Sequence, residues 1–166
     1  MTQGHVTHAA EAGVHVLRYF GAVDFTLAPG IERFLQRLIL AGSVSGLVFD
    51  LTAAESLDST NLGLMARVNE QVHDLGAPNS VIVSNNEDID AVLRSMGFDQ
   101  SFEMTAPSNG VSSAACAEPV AVGAASAAEL QRTMLEAHRA LVRLSEAGRL
   151  EFESVVGCLE RDTSVS

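Results

Sequence analysis

The sequence predicts an α/β domain with a mixed, largely parallel sheet of four to five strands, followed by a C-terminal helical extension. Short apolar runs alternate with helix-length segments over residues 1–104, which is typical of parallel strands joined by helical crossovers. An apolar stripe at spacings of four and three, from Leu130 to Leu144, predicts helix further on. We therefore divide the chain into a domain (1–104), a flexible linker (105–125), a helix or helical hairpin (126–161) and a tail (162–166).

The first elements are predicted to be a strand pair and a helix. Residues 5–9 read as a weak edge strand, and a turn at 11–13 leads into a second strand over 14–20. A helix over 25–41 follows, because Ile31, Leu35 and Leu38 repeat at three and four. Thr26 is a fair N-cap for that helix, and Gly42 ends it.

The central stretch joins a strand to a helix through polar residues. Residues 47–51 form an apolar run interrupted by Asp50, which predicts a strand, and residues 53–57 lack a period and are predicted as loop. Four residues follow, Asp58 to Asn61, whose side chains accept hydrogen bonds from free N–H groups at a helix start. From Leu62 onward the pattern is helical. Hydroxyl groups therefore lie at a helix N-terminus, a place that favours an added phosphate.

The remaining elements complete the domain and form the extension. Residues 81–83 are an apolar strand, Asn85 or Asn86 caps the next helix, and residues 98–104 could add a last strand. Ser126 and Glu129 form a capping-box pair at the start of the extension. Gly148 falls where the apolar stripe weakens. Either the helix continues and its apolar stripe drifts around it, or Gly148 breaks the extension into a two-helix hairpin. The apolar stripe predicts that the extension self-associates or folds back onto the domain.

Composition limits the classes of partner. The net charge is −11, and residues 1–104 carry 5 Arg against 13 Asp and Glu, a balance of −8. Nucleic acid is therefore not an expected ligand, whereas a partner with a basic docking surface is. The alternative is an acidic surface that only keeps the chain in solution. No apolar run is long enough to span a membrane, no secretory signal is visible, and a cytoplasmic location is expected.

No catalytic or cofactor site is evident in the sequence. The chain has no Lys, which excludes P-loop and Schiff-base chemistry, and its five His residues form no convincing ligand pair. Cys116 and Cys158 show no metal spacing. We therefore expect a protein that is not an enzyme and that uses no cofactor or metal.

The segment Asp58-Ser-Thr-Asn-Leu-Gly63, which we call the signature, resembles the Asp-Ser-Ser-Gly-Leu-Gly motif of STAS domains. This family includes anti-sigma factor antagonists and the tails of sulfate transporters. Gly21-Ala-Val-Asp24 and the segment 92–98 fit the family at corresponding points, and the resemblance covers residues 14–104. Two departures occur: Thr60 stands where the family has Ser, and Asn61 where it has Gly.

The resemblance implies a phosphorylation switch. Carried over, Thr60 is the phosphate acceptor, with Ser59 as the alternative. The partner-binding residues it implies are Asp24, Asp58, Ser59, Asn61, Leu62 and Gly63. The unphosphorylated form would bind an anti-sigma factor or a serine/threonine kinase of the partner-switching type, phosphorylation would release it, and a PP2C-like phosphatase would reverse the step. A phosphate beside Asp24 and Asp58 would repel a partner electrostatically.

Two other functions remain open. In the first, Thr60 only caps a helix and the extension builds a structural scaffold, for example a homo-oligomer. In the second, the corner formed by Asp24 and Asp58 belongs to a nucleotide-binding STAS domain.

Overall fold

The computed structural model describes residues 2–108 and 117–164 of the chain. The strands are His5–Glu11 (β1), Val14–Val23 (β2), Gly46–Leu57 (β3), Val81–Val83 (β4), Glu103–Thr105 (β5) and Glu118–Pro119 (β6). The helices are Ala28–Leu40 (α1), Ser59–Asp74 (α2), Glu87–Ser95 (α3), Phe98–Ser101 (α4), Ala127–Leu144 (α5) and Glu146–Ser164 (α6).

The strands form one mixed sheet in the order β5-β4-β3-β2-β1-β6. β1 is antiparallel to β2 and to β6, whereas the pairs from β2 to β5 are parallel. From β2 to β5, each new strand is added beside the previous one on the same side of the sheet. Right-handed crossovers therefore place α1, α2 and α3 on one face of the sheet. The predicted hairpin, the parallel crossovers and the α/β class are confirmed. The sheet has six strands where four to five were predicted, because β6 is formed by residues of the predicted linker.

The hydrophobic core lies between the sheet and this helix layer. Alternate residues of β2, such as Leu17 and Tyr19, are completely buried, while the residues between them are partly exposed. Phe49 in β3 and Ile31 in α1 belong to the same buried cluster. The strand period of two therefore fixes which side chains meet the helices.

β3 is longer than the sequence indicates. Residues 53–57, predicted as loop, continue the strand and pair with β2 from Phe20 to Val23, with register shifts along the way. Backbone pairing to β2 gives this stretch its conformation, so its side chains need no alternating pattern. The extension of β3 carries the chain to the point where α2 begins.

Other boundaries also differ from expectation. Residues 98–104 form the short helix α4 and then β5, where the sequence suggested only a strand. α1 starts at Ala28 after Leu27, and Thr26 instead bonds to Asp24, so the predicted Thr26 cap is wrong. α6 runs to Ser164, so residues 162–164 of the predicted tail are helical.

The second half of the predicted linker lies on the domain. Glu118 and Pro119 pair with β1, and Val120 is buried in the core cluster. The Arg33 guanidinium donates a 2.7 Å hydrogen bond to the Val122 carbonyl. Residues 109–116 of the predicted linker lie outside the described residues.

The C-terminal extension is a helical hairpin that folds back onto the domain. Ser145 separates α5 from α6: its hydroxyl oxygen accepts a bond from the Gly148 N–H at 2.9 Å and donates to the Met96 carbonyl at 2.7 Å. Gly148 lies inside α6, against the Leu141 carbonyl, and therefore does not make the break. α5 packs on α2 and α1, and α6 packs on α5, which gives a layer outside the helix layer. No helix of the described residues is long and apolar enough to cross a bilayer.

Candidate functional site

The signature begins with a capped helix. Asp58 is the N-cap of α2, and its Oδ1 accepts a 3.0 Å hydrogen bond from the Asn61 backbone N–H. Because α2 starts at Ser59, both hydroxyl groups of the signature lie in its first turn. The free N–H groups of that turn and the helix dipole both favour negative charge at this end.

Asn61 ties the helix start to the sheet. Its side-chain amide lies 2.9 Å from Asp58 Oδ1 and 3.4 Å from the Val23 carbonyl, and the residue is 1% exposed. The Asp58 N–H also donates to the Val23 carbonyl, at 3.4 Å. Asp24 directly follows Val23, the last residue of β2, and Asp58 directly precedes α2. The bond between the Asp58 N–H and the Val23 carbonyl therefore brings the two acidic residues close together.

α5 makes a specific polar contact with the signature. Ser59 Oγ lies 3.0 Å from His138 Nε2, and His138 Nδ1 lies 2.7 Å from the Met134 carbonyl. A carbonyl only accepts, so Nδ1 carries the proton and, in the neutral ring, the Ser59 hydroxyl donates to Nε2. His138 is 4% exposed and packs edge-on against Phe152 of α6.

Gly63 admits the backbone of α5. A Cβ built on Gly63 would lie closer than 3.0 Å to the carbonyl oxygen and the Cβ of Ala137. Ser59, Gly63 and Glu70 lie on one stripe of α2, and Glu70 forms an ion pair with Arg143 at 3.1 Å. α5 therefore covers the same stripe of α2 along most of its length.

Thr60 is 3% exposed, and it lies on a different stripe from Ser59. At spacings of seven and eleven it is aligned with Arg67 and Gln71, whose side chains bond to Glu32 and Gln36 of α1. The side of α2 that carries Thr60 therefore faces α1, while Ser59 faces α5.

The structure brings the predicted site residues together but exposes few of them. Asp24 is exposed, and its Oδ1 accepts a 2.9 Å bond from the Thr26 backbone N–H. Asp58 and Ser59 are partly exposed. The buried members are Thr60, Asn61, Leu62 and Gly63. Gly63 is covered by α5 and the side of α2 that carries Thr60 faces α1, so access to these two residues requires one of those helices to move.

A groove of about 220 Å³ lies open beside the signature. It lies between the end of β3, the start of α2 and α3, and its apolar lining includes Leu62, Ile89 and Val92. Glu55 and Asp88 line its rim, so the groove carries negative charge. This charge disfavours nucleotide phosphates and favours a segment that combines apolar and basic side chains.

Residues 6–112 match the family model of the STAS domain. The chain belongs to the STAS domain family. The match spans β1 to β5 and ends before α5 begins, so the STAS domain of this chain carries α5 and α6 as an addition. No curated protein matches the chain in sequence.

Solved structures share the STAS fold. The unphosphorylated form of the anti-sigma factor antagonist SpoIIAA aligns with a TM-score of 0.54 and 15% identity, covering 64% of this chain and 90% of that one. An anti-sigma factor antagonist from Mycobacterium paratuberculosis aligns with a TM-score of 0.55 and 24% identity, covering 64% and 88%. The phosphorylated form of the Bacillus cell fate determinant SpoIIAA aligns with a TM-score of 0.54 and 15% identity, covering 64% and 93%.

Sequence reasoning missed the residues that connect the extension to the signature. His138 is one of the five histidines that form no ligand pair in the sequence, but it follows Ala137 of the apolar stripe, and a buried polar residue beside such a stripe needs a partner. Glu32 joins two elements, because it bonds to Arg67 of α2 and accepts a 2.6 Å bond from Thr133 of α5. Residues within the described ranges form no cluster of three metal-binding side chains.

Proposed function

We propose that this STAS protein is a phosphorylation-controlled protein-binding switch similar to an anti-sigma factor antagonist. The observation that carries the proposal is the placement of the signature: two hydroxyl-bearing residues in the first turn of a helix, capped by Asp58 and next to Asp24. Two of the similar solved structures show an antagonist with and without its phosphate. The unphosphorylated chain would bind an anti-sigma factor or a kinase of the partner-switching type.

Electrostatics gives the switch its direction. A phosphate adds about −1.5 to −2 charges at neutral pH. The chain already carries a net charge of −11, and Asp24 and Asp58 flank the helix start. A partner with a basic surface would be attracted to the acidic domain before phosphorylation. If the same partner places acidic groups or a tightly desolvated contact against the start of α2, the added phosphate would expel it.

Thr60 is the proposed acceptor, and Ser59 is the alternative. Thr60 corresponds to the second hydroxyl of the family signature, but it is buried in the conformation described here. Ser59 is partly exposed, yet its hydroxyl is bonded to His138. Phosphorylation of either hydroxyl therefore requires a more open conformation of the chain.

The docking surface on the antagonist is proposed to include the open groove between the end of β3, the start of α2 and α3. Its apolar lining and acidic rim suit a segment with apolar and basic side chains. Because Leu62 lies both in the signature and in the groove wall, a partner seated there would sense the charge state of the α2 N-terminus. Asp24, Asp58, Ser59, Asn61 and Gly63 remain proposed contacts of the same partner.

Affinity capture with three versions of the chain tests this proposal. Wild type, Thr60→Ala and Thr60→Glu are immobilised, and the retained kinase or anti-sigma factor is identified and then incubated with each chain and ATP. We expect wild type to capture the partner and to release it with one phosphate on the tryptic peptide 38–67. Thr60→Ala should capture without release, and Thr60→Glu should capture poorly. Wild-type behaviour of both variants, or phosphate on another peptide, contradicts the assignment, and phosphate only on Ser59 selects the alternative.

The scaffold function is the second candidate, and the burial of Thr60 favours it, because a buried hydroxyl suits a purely structural helix start. If α5 and α6 only complete the fold, the chain would bind no partner through α2, and a homo-oligomer would have to form elsewhere. Sedimentation across a hundredfold range of protein concentration, on the order of micromolar to 0.1 millimolar, distinguishes a monomer from an assembly. A PP2C-like phosphatase and a cytoplasmic location remain proposals that follow from the switch.

A further inference from the structure

The helix layer closely fits the chain that follows β5. A Cβ at Gly63 of α2 would lie closer than 3.0 Å to backbone atoms of Ala137 in α5, and a Cβ at Gly30 of α1 would lie equally close to backbone atoms of Val122, which precedes the extension. Neither glycine has a positive φ, so backbone conformation does not explain why they lack a side chain. At Gly63, α5 therefore docks on a surface that fits it closely.

Several contacts across this surface are polar. Thr133 donates to Glu32 at 2.6 Å, Arg143 pairs with Glu70 at 3.1 Å, and Ser59 bonds to His138. Each such hydrogen bond contributes little net free energy, because water replaces the partner when the contact opens. The Arg143–Glu70 pair is exposed at both side chains and contributes still less.

The apolar part of the contact is small where it meets the signature. Ala137 of α5 faces Gly63 of α2, and such small residues bury little area. Leu141 is the large side chain that anchors α5 in the core cluster. The family match ends at residue 112, so the part of the chain that matches the STAS family does not include α5. Near the signature, α5 is therefore held mainly by small and polar side chains.

We infer that the stripe of α2 bearing Ser59, Gly63 and Glu70 is a helix-docking surface, which α5 occupies in the resting chain and must vacate before a partner's helix or a kinase reaches the signature. The inference rests on the proposed function for the identity of the competitor. α5 acts as an internal pseudo-ligand: His138 holds the Ser59 hydroxyl, and Ala137 fills the space above Gly63. The association constant for the external partner is then multiplied by the fraction of chains in which α5 has left the surface.

A thiol-trapping experiment tests whether α5 moves away from position 59 of α2. Ser59→Cys is introduced with Cys116→Ser and Cys158→Ser, and its alkylation by iodoacetamide is followed by intact mass. Adding Ala137→Glu places a carboxylate at the 1%-exposed contact with Gly63, whereas Ala128→Glu makes the same change at an exposed position of α5. We expect trapping to be at least about tenfold faster with Ala137→Glu than with Ala128→Glu. Equal rates in two folded variants contradict the inference.

Amide hydrogen exchange on the wild-type chain tests the same opening without a substitution, so it decides the question even if Ala137→Glu does not fold. Amides of α5 and α6 should exchange together and at least about tenfold faster than those of β2 and β3. If α5 exchanges only as fast as the central strands, the extension opens by global unfolding alone and is a permanent part of the fold. That result also overturns the inference.

A peptide in trans tests the helix-docking surface itself. A fluorescein-labelled peptide of residues 126–145 is titrated with the full-length Ala137→Glu chain and with wild type. Binding at least about tenfold tighter to the variant is expected, because the surface is vacant there, and the same peptide carrying Ala137→Glu should not bind. No preference for the variant shows that the surface does not take a helix and overturns the inference. None of these readouts uses a kinase or a partner, so failure of the proposed function leaves them interpretable.

Discussion

The Ser59 hydroxyl and the His138 imidazole, 79 positions apart in sequence, lie 3.0 Å from each other between Oγ and Nε2. This contact links the first turn of the signature helix to the middle of α5. It brings the STAS domain and its C-terminal extension together at the hydroxyl adjacent to the proposed phosphate acceptor. The chemistry of the signature and the position of the extension are therefore physically coupled.

A double-mutant cycle should detect that coupling. Ser59→Ala leaves the imidazole without its donor, and His138→Ala removes the acceptor, so the two changes together should cost less than the sum of each alone. We expect a coupling of about 1 kcal/mol in the free energy of unfolding, measured by urea denaturation. His138→Ala combined with Ser95→Ala, an exposed serine of α3, should be additive. Additivity in the Ser59 cycle would show that the bond does not form in solution.

Adding one methyl group to Gly63 should destabilise the docked extension. Its Cβ would overlap the Ala137 carbonyl, and overpacking of this kind costs about 1–3 kcal/mol. Gly157→Ala in α6 is the matched control, because the nearest atom is the flexible Arg161 guanidinium at 3.5 Å. That control should gain up to about 1 kcal/mol from helix propensity. Thermal unfolding monitored by circular dichroism measures both, and equal behaviour of the two variants would argue against the close approach of α5.

Asn69→Ala should weaken the domain itself. The Asn69 Oδ1 accepts from the Ser80 N–H at 2.8 Å, and its amide donates to the Ser101 carbonyl at 3.1 Å. Asn69 is 5% exposed, so the variant leaves two buried backbone groups without partners, at a cost of about 2–3 kcal/mol. Asn79→Ala, at an exposed position, should change the free energy of unfolding by less than about 0.5 kcal/mol. A similar effect of the two variants would contradict this role for Asn69.

Mild acid should destabilise the fold through His8. Burial and the neighbouring His15 lower the pKa of His8 from 6.5, and Glu118 opposes them. At a pH between the lowered pKa and 6.5, His8 binds a proton more readily in the unfolded chain than in the folded one. The contribution of neutral His8 to stability is therefore complete above pH 6.5 and is lost as the pH falls through this window. Urea denaturation at several pH values should show a smaller acid loss for His8→Gln than for wild type. His73→Gln, at an exposed histidine of α2, should retain the wild-type loss; an equal loss in all three chains would exclude His8 as the cause.

Local patterns predicted the order of the elements well, because helix and strand periods reflect which side chains are buried. Asn86 caps α3 as expected, with its Oδ1 accepting from Asp88 and Ile89, and Ser126 caps α5 by accepting from the Glu129 N–H. The Glu129 carboxylate, however, pairs with Arg33 of α1 instead of completing a capping box. A capping pattern specifies where a helix starts, but it does not specify which distant cation competes for the acid.

The contacts between distant segments were not predictable from local patterns. The small residues of 105–125, where Glu118 is the one charged side chain, are typical of a flexible linker, yet Val120 is buried and Val122 lies on Gly30. The burial of Thr60 likewise depends on neighbouring helices, whereas the sequence shows only a hydroxyl at a helix start. A glycine inside a helix, such as Gly63, indicates that another group approaches closely, and the structure identifies Ala137 as that group.

The two-residue strand β6 has a consequence for how the protein behaves at high concentration. It pairs with Thr7 and His8 along the outer side of β1, where an unpaired strand would otherwise offer its backbone to another molecule. At the opposite end, β5 is only three residues long and carries Glu103. Short, charged or occupied sheet margins resist strand addition and amyloid-like growth. Loss of β6 would thus convert a protected sheet margin into a template for aggregation.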